Sequence, residues 1–288
     1  VSQELGTLWQ EIGDLPHQLR YIDVGNCRTR VLSVGQGKDT IVLMAGTSGH
    51  LEAFTRNIRA LAGEYTVLAY DYPGHGFSTL AEADLEIPDY EQHLRGLLDK
   101  LGLDQVHLCG ESLGGWIALK FAQKHADRVK TLILSAPGGQ VMPPSAIGKT
   151  RSVSRNAVED PTFENVKARL QVVIHDPALI TDELVQMRRA VYRRDGFAKS
   201  MSHILALQNP EIRFRNRVTV EDYAALTVPA LLVWTDHEPS GGVQTGKEFA
   251  AAIPDGELLL IRNAAHWPQW EDPQAFNERA LDFLARKG

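Results

Sequence analysis

This 288-residue chain has only two cysteines, Cys27 and Cys109, each in a separate strand-like stretch. That excludes a disulfide-stapled secreted scaffold, and two reduced thiols in a cytoplasmic protein are expected. No apolar run approaches the ~20 residues that a membrane-spanning helix needs. No block of lysine or arginine marks a membrane-surface or nucleic-acid site, and the net charge of -6 argues against polyanionic partners. The first sixteen residues carry neither a basic start nor an apolar core, so no secretory signal is expected. Repeats and low-complexity tracts are also missing. With 43% apolar and 23% charged residues, the composition is that of a globular protein long enough to bury a full core. A small-molecule substrate, with no nucleic acid and no membrane, is the partner this leaves.

The most informative stretch present is Cys109-Gly110-Glu111-Ser112-Leu113-Gly114-Gly115. It follows the apolar run Val106–Cys109 and precedes a helical pattern from Trp116 to His125. A Gly-x-Ser-x-Gly between strand and helix reads as a nucleophile elbow. The turn is too sharp for any but small flanking residues, and it lifts the serine hydroxyl above the sheet. The first helical amides then point where an oxyanion would form. A Gly-rich strand–helix turn with no chemistry is the plainer alternative.

Around the elbow, strand-like segments (Thr29–Val34, Thr40–Ala45, Thr66–Asp71, Thr131–Ser135) alternate with helical ones (Leu51–Ala62, Asp89–Lys100). Ala230–Trp234 and Glu257–Ile261 continue the strands, and Asp272–Leu284 closes as a helix. Such alternation predicts an α/β fold with a mostly parallel sheet flanked by helices. Between Pro137 and Leu226 the pattern changes. It opens APGGQVMPPS, then shows helical patterns at Thr162–His175, Asp182–Arg194, Gly196–Leu207 and Val220–Leu226, with no convincing strand. The expected organisation is a core in two parts, 1–136 and 227–288, interrupted by a helical lid over 137–226.

A serine nucleophile needs a base, an acid to orient it, and oxyanion donors. The elbow resembles that of α/β-hydrolases, and for that arrangement the chain order is Ser, acid, His. His266 follows the strand-like Glu257–Ile261 in a loop of small residues and is the candidate base. The acid should follow Ala230–Trp234, where Asp236 and Glu238 compete. Glu238 is preferred by its resemblance to the usual hydrolase pattern, which puts the acid four residues past the strand's last aromatic, here Trp234, with a proline or glycine turn beyond, here Pro239-Ser240-Gly241-Gly242. The backbone amides of Leu113 and of Thr47, in Gly46-Thr47-Ser48-Gly49, are the candidate oxyanion donors. That glycine loop lacks the Lys-Ser/Thr of a phosphate-binding loop and the spacing of a dinucleotide turn. No metal or organic cofactor is needed.

Several further motifs carry a resemblance. Asp71-Tyr72-Pro73-Gly74-His75-Gly76-Phe77-Ser78 and His125-Ala126-Asp127-Arg128-Val129 are similar to segments of α/β-hydrolase-fold enzymes. More specifically, His266-Trp267-Pro268-Gln269-Trp270-Glu271 resembles the His-Trp-x-Gln-Trp-Glu of meta-cleavage product hydrolases, which cleave a carbon–carbon bond in aromatic catabolism. Asp160–Asn165, Ile180–Leu184 and Phe54–Ile58 resemble segments of the same group, and the likeness runs from about Arg28 to Leu284. It implies an α/β-hydrolase fold with a helical lid, a 2-hydroxy-6-oxo-dienoate type substrate, and association between copies of the chain. It also implies that Arg188 and Trp267 hold the dienoate end. Arginine suits a planar carboxylate because it donates two parallel hydrogen bonds. Two features depart from the family. Glu111 stands where asparagine is usual before the nucleophile, and the oxyanion loop is shorter. A carboxylate there would repel an anionic substrate unless protonated or paired, for instance with Arg188. Ester or lactone hydrolysis by the same three residues is the alternative activity. A binding protein that has lost catalysis is the third reading.

Overall fold

The computed structural model describes residues 7–141 and 144–288. The first six residues and Met142–Pro143, within the expected Pro/Gly opening of the lid, lie outside the described residues. Eight strands form one sheet: β1 His17–Val24, β2 Cys27–Val34, β3 Thr40–Met44, β4 Thr66–Tyr70, β5 Val106–Glu111, β6 Val129–Ser135, β7 Ala230–Thr235 and β8 Gly256–Ile261. Their order is β1-β2-β4-β3-β5-β6-β7-β8; β1/β2 and β2/β4 run antiparallel and the rest parallel. The interior strands are apolar runs because helices cover both their faces. In β5 and β7 every residue is buried.

One face packs Val42, Leu108, Leu132 and Leu232 against the helices Ile87–Leu101, Leu113–Lys124 and Val243–Ala252. The other face joins Ile41, Leu43, Cys109, Ile133 and Val233 to Ile58, Phe276 and Phe283. Val166, Leu170, Val185, Val191 and Phe197, from the stretch between β6 and β7, belong to that same cluster. That stretch holds only helices among the described residues: Pro144–Glu159, Phe163–Leu170, Asp182–Tyr192, Phe197–Ile204, Pro210–Asn216 and Val220–Ala224, with two short 3-10 turns. Their starts follow local capping chemistry. Thr162 and Thr181 each accept from the amide three residues on, and Asn209 caps the helix it precedes.

Differences from the sequence reading lie at the margins. β1 was not expected, and neither were the helices Pro144–Glu159 and Pro210–Asn216. The expected helix Leu51–Ala62 is a 3-10 turn, Leu51–Phe54, running into an α-helix, Thr55–Ala62. The expected helix Thr162–His175 stops at Leu170, and the chain beyond it bends toward the His266 loop. Both cysteines are buried and free.

Candidate active site

β5 lies at the centre of the sheet, and Ser112 stands where it turns into the helix Leu113–Lys124. Its backbone is at φ 51°, ψ −110°, a conformation an L-residue adopts only when its surroundings impose it. The surroundings do so by close approach. A Cβ on Gly110 would lie 2.2 Å from the Gly114 carbonyl carbon, and one on Gly114 would lie 2.1 Å from the Met44 oxygen. The small residues of the motif are therefore required by the approach of β3 and the helix to β5.

Ser112 Oγ lies 2.8 Å from His266 Nε2. On the far side of the ring, His266 Nδ1 lies 2.8 and 3.0 Å from the two oxygens of Glu238. Asp236 faces elsewhere: it accepts from the Ala264 amide and lies 4.0 Å from His237. Burial would lower the His266 pKa, but the Glu238 carboxylate outweighs it and, with Glu111, holds the imidazole up to about 9. The loop bearing His266 is fastened from several sides. Its amide donates to the Val173 carbonyl at 3.0 Å, and Thr235 Oγ1 donates to the Ala265 carbonyl at 2.7 Å. Glu271 accepts from the amides of Ala265 and His175, while Trp270 Nε1 donates to the Leu179 carbonyl. The His-Trp-x-Gln-Trp-Glu segment thus ties the histidine to the sheet and to the helical stretch at once.

Thr47, Glu111, Ser112, Leu113, Glu238 and His266 line one cavity together with Arg188 and Trp267. Leu113 opens its helix, so its N–H has no acceptor within that helix. Arg188 is 1% exposed; its guanidinium stacks 5.3 Å from the Trp267 ring and Nη1 donates to Tyr192 Oη at 3.2 Å. Its Nε and Nη2 have no hydrogen-bond partner among the described residues. Glu111 is wholly buried, 3.7 Å from His266 Nε2, and neither of its oxygens has a hydrogen-bond partner among the described residues. Burial pushes its carboxyl up to about 7, against the attraction of His266 and Arg188. Its ion-pair contact is with His266 and not with Arg188.

Two residues lining this cavity, Arg169 and Arg213, and one that contacts its Arg188, Tyr192, are absent from the sequence reading. Tyr192, whose hydroxyl also meets Ser48 Oγ at 3.1 Å, lies one helical turn past Arg188, and that i,i+4 spacing was a usable signal. Arg169 is 7% exposed and lines the cavity from the helix Phe163–Leu170. Arg213 reaches it from Pro210–Asn216. Neither arginine carries a sequence mark that separates it from a solvated surface cation.

This geometry can activate a hydroxyl, hold an anion beside it and exclude much of the solvent. Comparisons with known proteins show the family. Residues 41–279 match the model of the alpha/beta hydrolase family. A 2-hydroxy-6-oxononadienedioate/2-hydroxy-6-oxononatrienedioate hydrolase of Paraburkholderia phymatum is 30% identical over 286 residues, covering 93% of this chain and 96% of the relative. A 2-hydroxy-6-oxo-6-phenylhexa-2,4-dienoate hydrolase of Burkholderia cepacia is 31% identical, covering 91% of this chain and 93% of the relative. Among solved structures, the meta-cleavage product hydrolase CumD of Pseudomonas fluorescens superposes with a TM-score of 0.80 at 24% identity, over 97% of this chain and 100% of that one. At that identity the likeness concerns the fold.

Proposed function

Because the chain belongs to the alpha/beta hydrolase family, we propose that it is a serine hydrolase cleaving the carbon–carbon bond of a 2-hydroxy-6-oxo-dienoate, a vinylogous 1,5-diketone. Ser112 is the nucleophile, His266 the base and Glu238 the acid that orients it. The amides of Thr47 and Leu113 bind the oxyanion. Residues 137–226 act as the lid over a core formed by 1–136 and 227–288, and the substrate's carboxylate lies on Arg188 beside Trp267. The observation that carries this reading is Arg188, a fully buried guanidinium stacked on Trp267 with two nitrogens unpartnered at the cavity. A buried charge is costly unless paired, so such a site calls for an anion from the ligand. The names of the relatives supply the class of anion.

The chemistry needs an electron sink, since the departing carbon would otherwise leave as an unstabilised carbanion. The dienol first ketonises: its hydroxyl loses a proton and C5 gains one. Ser112 Oγ then attacks the C6 ketone while His266 takes its proton, giving a tetrahedral oxyanion. Collapse breaks the C5–C6 bond, and the electron pair moves into the conjugated dienolate, which is protonated and leaves as a 2-hydroxy-dienoate. Water, deprotonated by His266, then hydrolyses the acyl-serine to a carboxylic acid.

Glu111 favours a second reading, hydrolysis of a carboxylic ester or lactone, which needs neither an electron sink nor an anion next to a buried carboxylate. Comparing a ring-fission dienoate with p-nitrophenyl esters separates the two. Cleavage of the dienoate with a specificity constant well above that for the esters is expected. Turnover of esters with an inert dienoate would establish the second reading instead.

A further inference from the structure

The turn that carries Thr47 holds a residue in an unfavourable backbone conformation. The Gly49 amide donates to the Gly46 carbonyl at 2.9 Å, closing a turn with Thr47 and Ser48 at its centre. Ser48 sits at φ 58°, in the left-handed region, and is fully buried. A residue other than glycine keeps that conformation only when contacts around it hold it there. The contact comes from far along the chain. Ser48 Oγ lies 3.1 Å from the hydroxyl of Tyr192, the last residue of the helix Asp182–Tyr192.

That hydroxyl has a second partner. Arg188 Nη1 lies 3.2 Å from it and can only donate, so the phenol oxygen accepts there and its own hydrogen is left for Ser48. Burial would raise the Tyr192 pKa, but Arg188 and Arg169 outweigh it and hold the phenol below its ordinary value. A more acidic phenol is a stronger donor to Ser48. Nη1 is also the nitrogen that lies outside the fork formed by Nε and Nη2. Those two have no partner among the described residues and remain a matched pair for a planar carboxylate. Among the described residues, Thr47 and Arg188 line the cavity but Ser48 and Tyr192 do not, so the phenol stands behind both groups that face the substrate. An aromatic that only packed on Phe197, whose ring centroid is 5.3 Å away, could as well be phenylalanine.

We propose that Tyr192 is a positioning residue whose hydroxyl sets two parts of the site at once. Through Ser48 it holds the turn that presents the Thr47 amide to the oxyanion. Through Nη1 it aims the Nε/Nη2 fork of Arg188 at the substrate's carboxylate. The register between the anchored end of the substrate and the carbon under attack is thereby fixed. This rests on the serine-hydrolase reading, which makes the Thr47 amide an oxyanion donor and Arg188 the partner of the carboxylate.

The test uses Tyr192→Phe, which keeps the ring on Phe197, together with Ser48→Ala and the double variant. Each is assayed on a ring-fission dienoate and on a small neutral p-nitrophenyl ester. Values of kcat are referred to the sites that a fluorophosphonate labels at completion, so a misfolded fraction does not count as lost catalysis. The ester uses only the turn, and its kcat should fall about tenfold in Tyr192→Phe with KM little changed. Ser48→Ala should reproduce that loss, and the double variant should be no slower on the ester than Tyr192→Phe alone. The dienoate uses the fork as well. Its kcat/KM should therefore fall about a further tenfold in Tyr192→Phe but not in Ser48→Ala. An ester kcat unchanged in Tyr192→Phe, losses that multiply in the double variant, or an equal fall on both substrates in Tyr192→Phe overturns the proposal. Failure of the C–C reading looks different. The dienoate would be inert in every protein and the part assigned to the fork would fall with it, while the ester still decides the link from Tyr192 to Ser48. A wild-type protein that takes no fluorophosphonate label would overturn the serine-hydrolase reading itself, and this proposal with it.

Discussion

Two buried clusters of charge in this molecule invite comparison. The first lies where β2 and β4 meet the turn after β3. Arg30 bonds Glu52 and Asp71, and His50 Nδ1 lies 2.9 Å from Glu52. Asp71 also accepts from the amides of Leu51 and Phe77, and Ser78 Oγ bridges the Arg30 amide and the Asp71 carbonyl. Apart from one ring nitrogen of His50, these groups satisfy one another. Although burial opposes it, His50 and Arg30 hold the Glu52 carboxyl down to about 2. The second cluster lines the cavity: Glu111, Arg169 and Arg188 are as deeply buried, yet six of their nitrogen and oxygen atoms, two on each residue, lack hydrogen-bond partners among the described residues. A closed cluster fastens loops. An open one keeps its hydrogen-bonding capacity for something that arrives later.

The comparison can be broken from its catalytic side first. Ser112→Ala should lower turnover on the order of 10⁴-fold or more while leaving the fold and Tm in place. Turnover within tenfold of wild type would remove Ser112 from the chemistry. Next in size is the acid. Glu238→Gln should reduce kcat on the order of 10³-fold or more, because an amide cannot stabilise the imidazolium. Asp236→Asn, in a residue that only fastens the neighbouring loop, should cost far less; the reverse ranking in folded proteins would exchange their roles.

The closed cluster should behave in the opposite way. Asp71→Asn breaks a buried, charge-assisted network and should cost about 3–5 kcal/mol of stability, read by denaturant unfolding, with kcat per folded molecule changing little. A stable Asp71→Asn protein with lost activity would make that cluster part of the site. The smallest effect concerns pH. His266 must be neutral to take the serine proton, so with its pKa held up to about 9 the rate should still be rising above pH 8. Glu111→Gln removes a negative charge that favours the imidazolium, so the rising limb should move to lower pH by about one unit. A limb that stays in place, or moves upward, contradicts the coupling of Glu111 to His266.

The parts of the molecule legible in the sequence are those where one residue type alone can do the job. The elbow announces itself because Gly110 and Gly114 leave no room for a Cβ. The interior strands are legible because two-sided burial makes them apolar runs. β1 is not, since it is an edge strand with Leu19 and Tyr21 exposed and its burial comes only at Val24. The helix Pro210–Asn216 escaped for a related reason: seven residues with two apolar positions give no clear period. The choice between Asp236 and Glu238 depended on where β7 ends. It runs through Thr235, so Asp236 sits in the turn against Ala264 while Glu238 reaches back to the ring. Arg169 was illegible because a helix's sequence shows which residues share a face but not what the face meets.

The most direct test of the dienoate reading is the ratio of specificity constants, ring-fission dienoate over a small neutral p-nitrophenyl ester, in wild type, Arg188→Gln and Glu111→Asn. Loss of a charge-assisted contact to a desolvated carboxylate is worth about 1.5–3 kcal/mol, so Arg188→Gln should lower that ratio about ten- to a hundredfold through the dienoate alone. Glu111→Asn, which removes a buried carboxylate from the anion's surroundings, should raise it. A ratio that stays flat across all three proteins would contradict the account and leave an ester hydrolase whose buried arginines serve the fold.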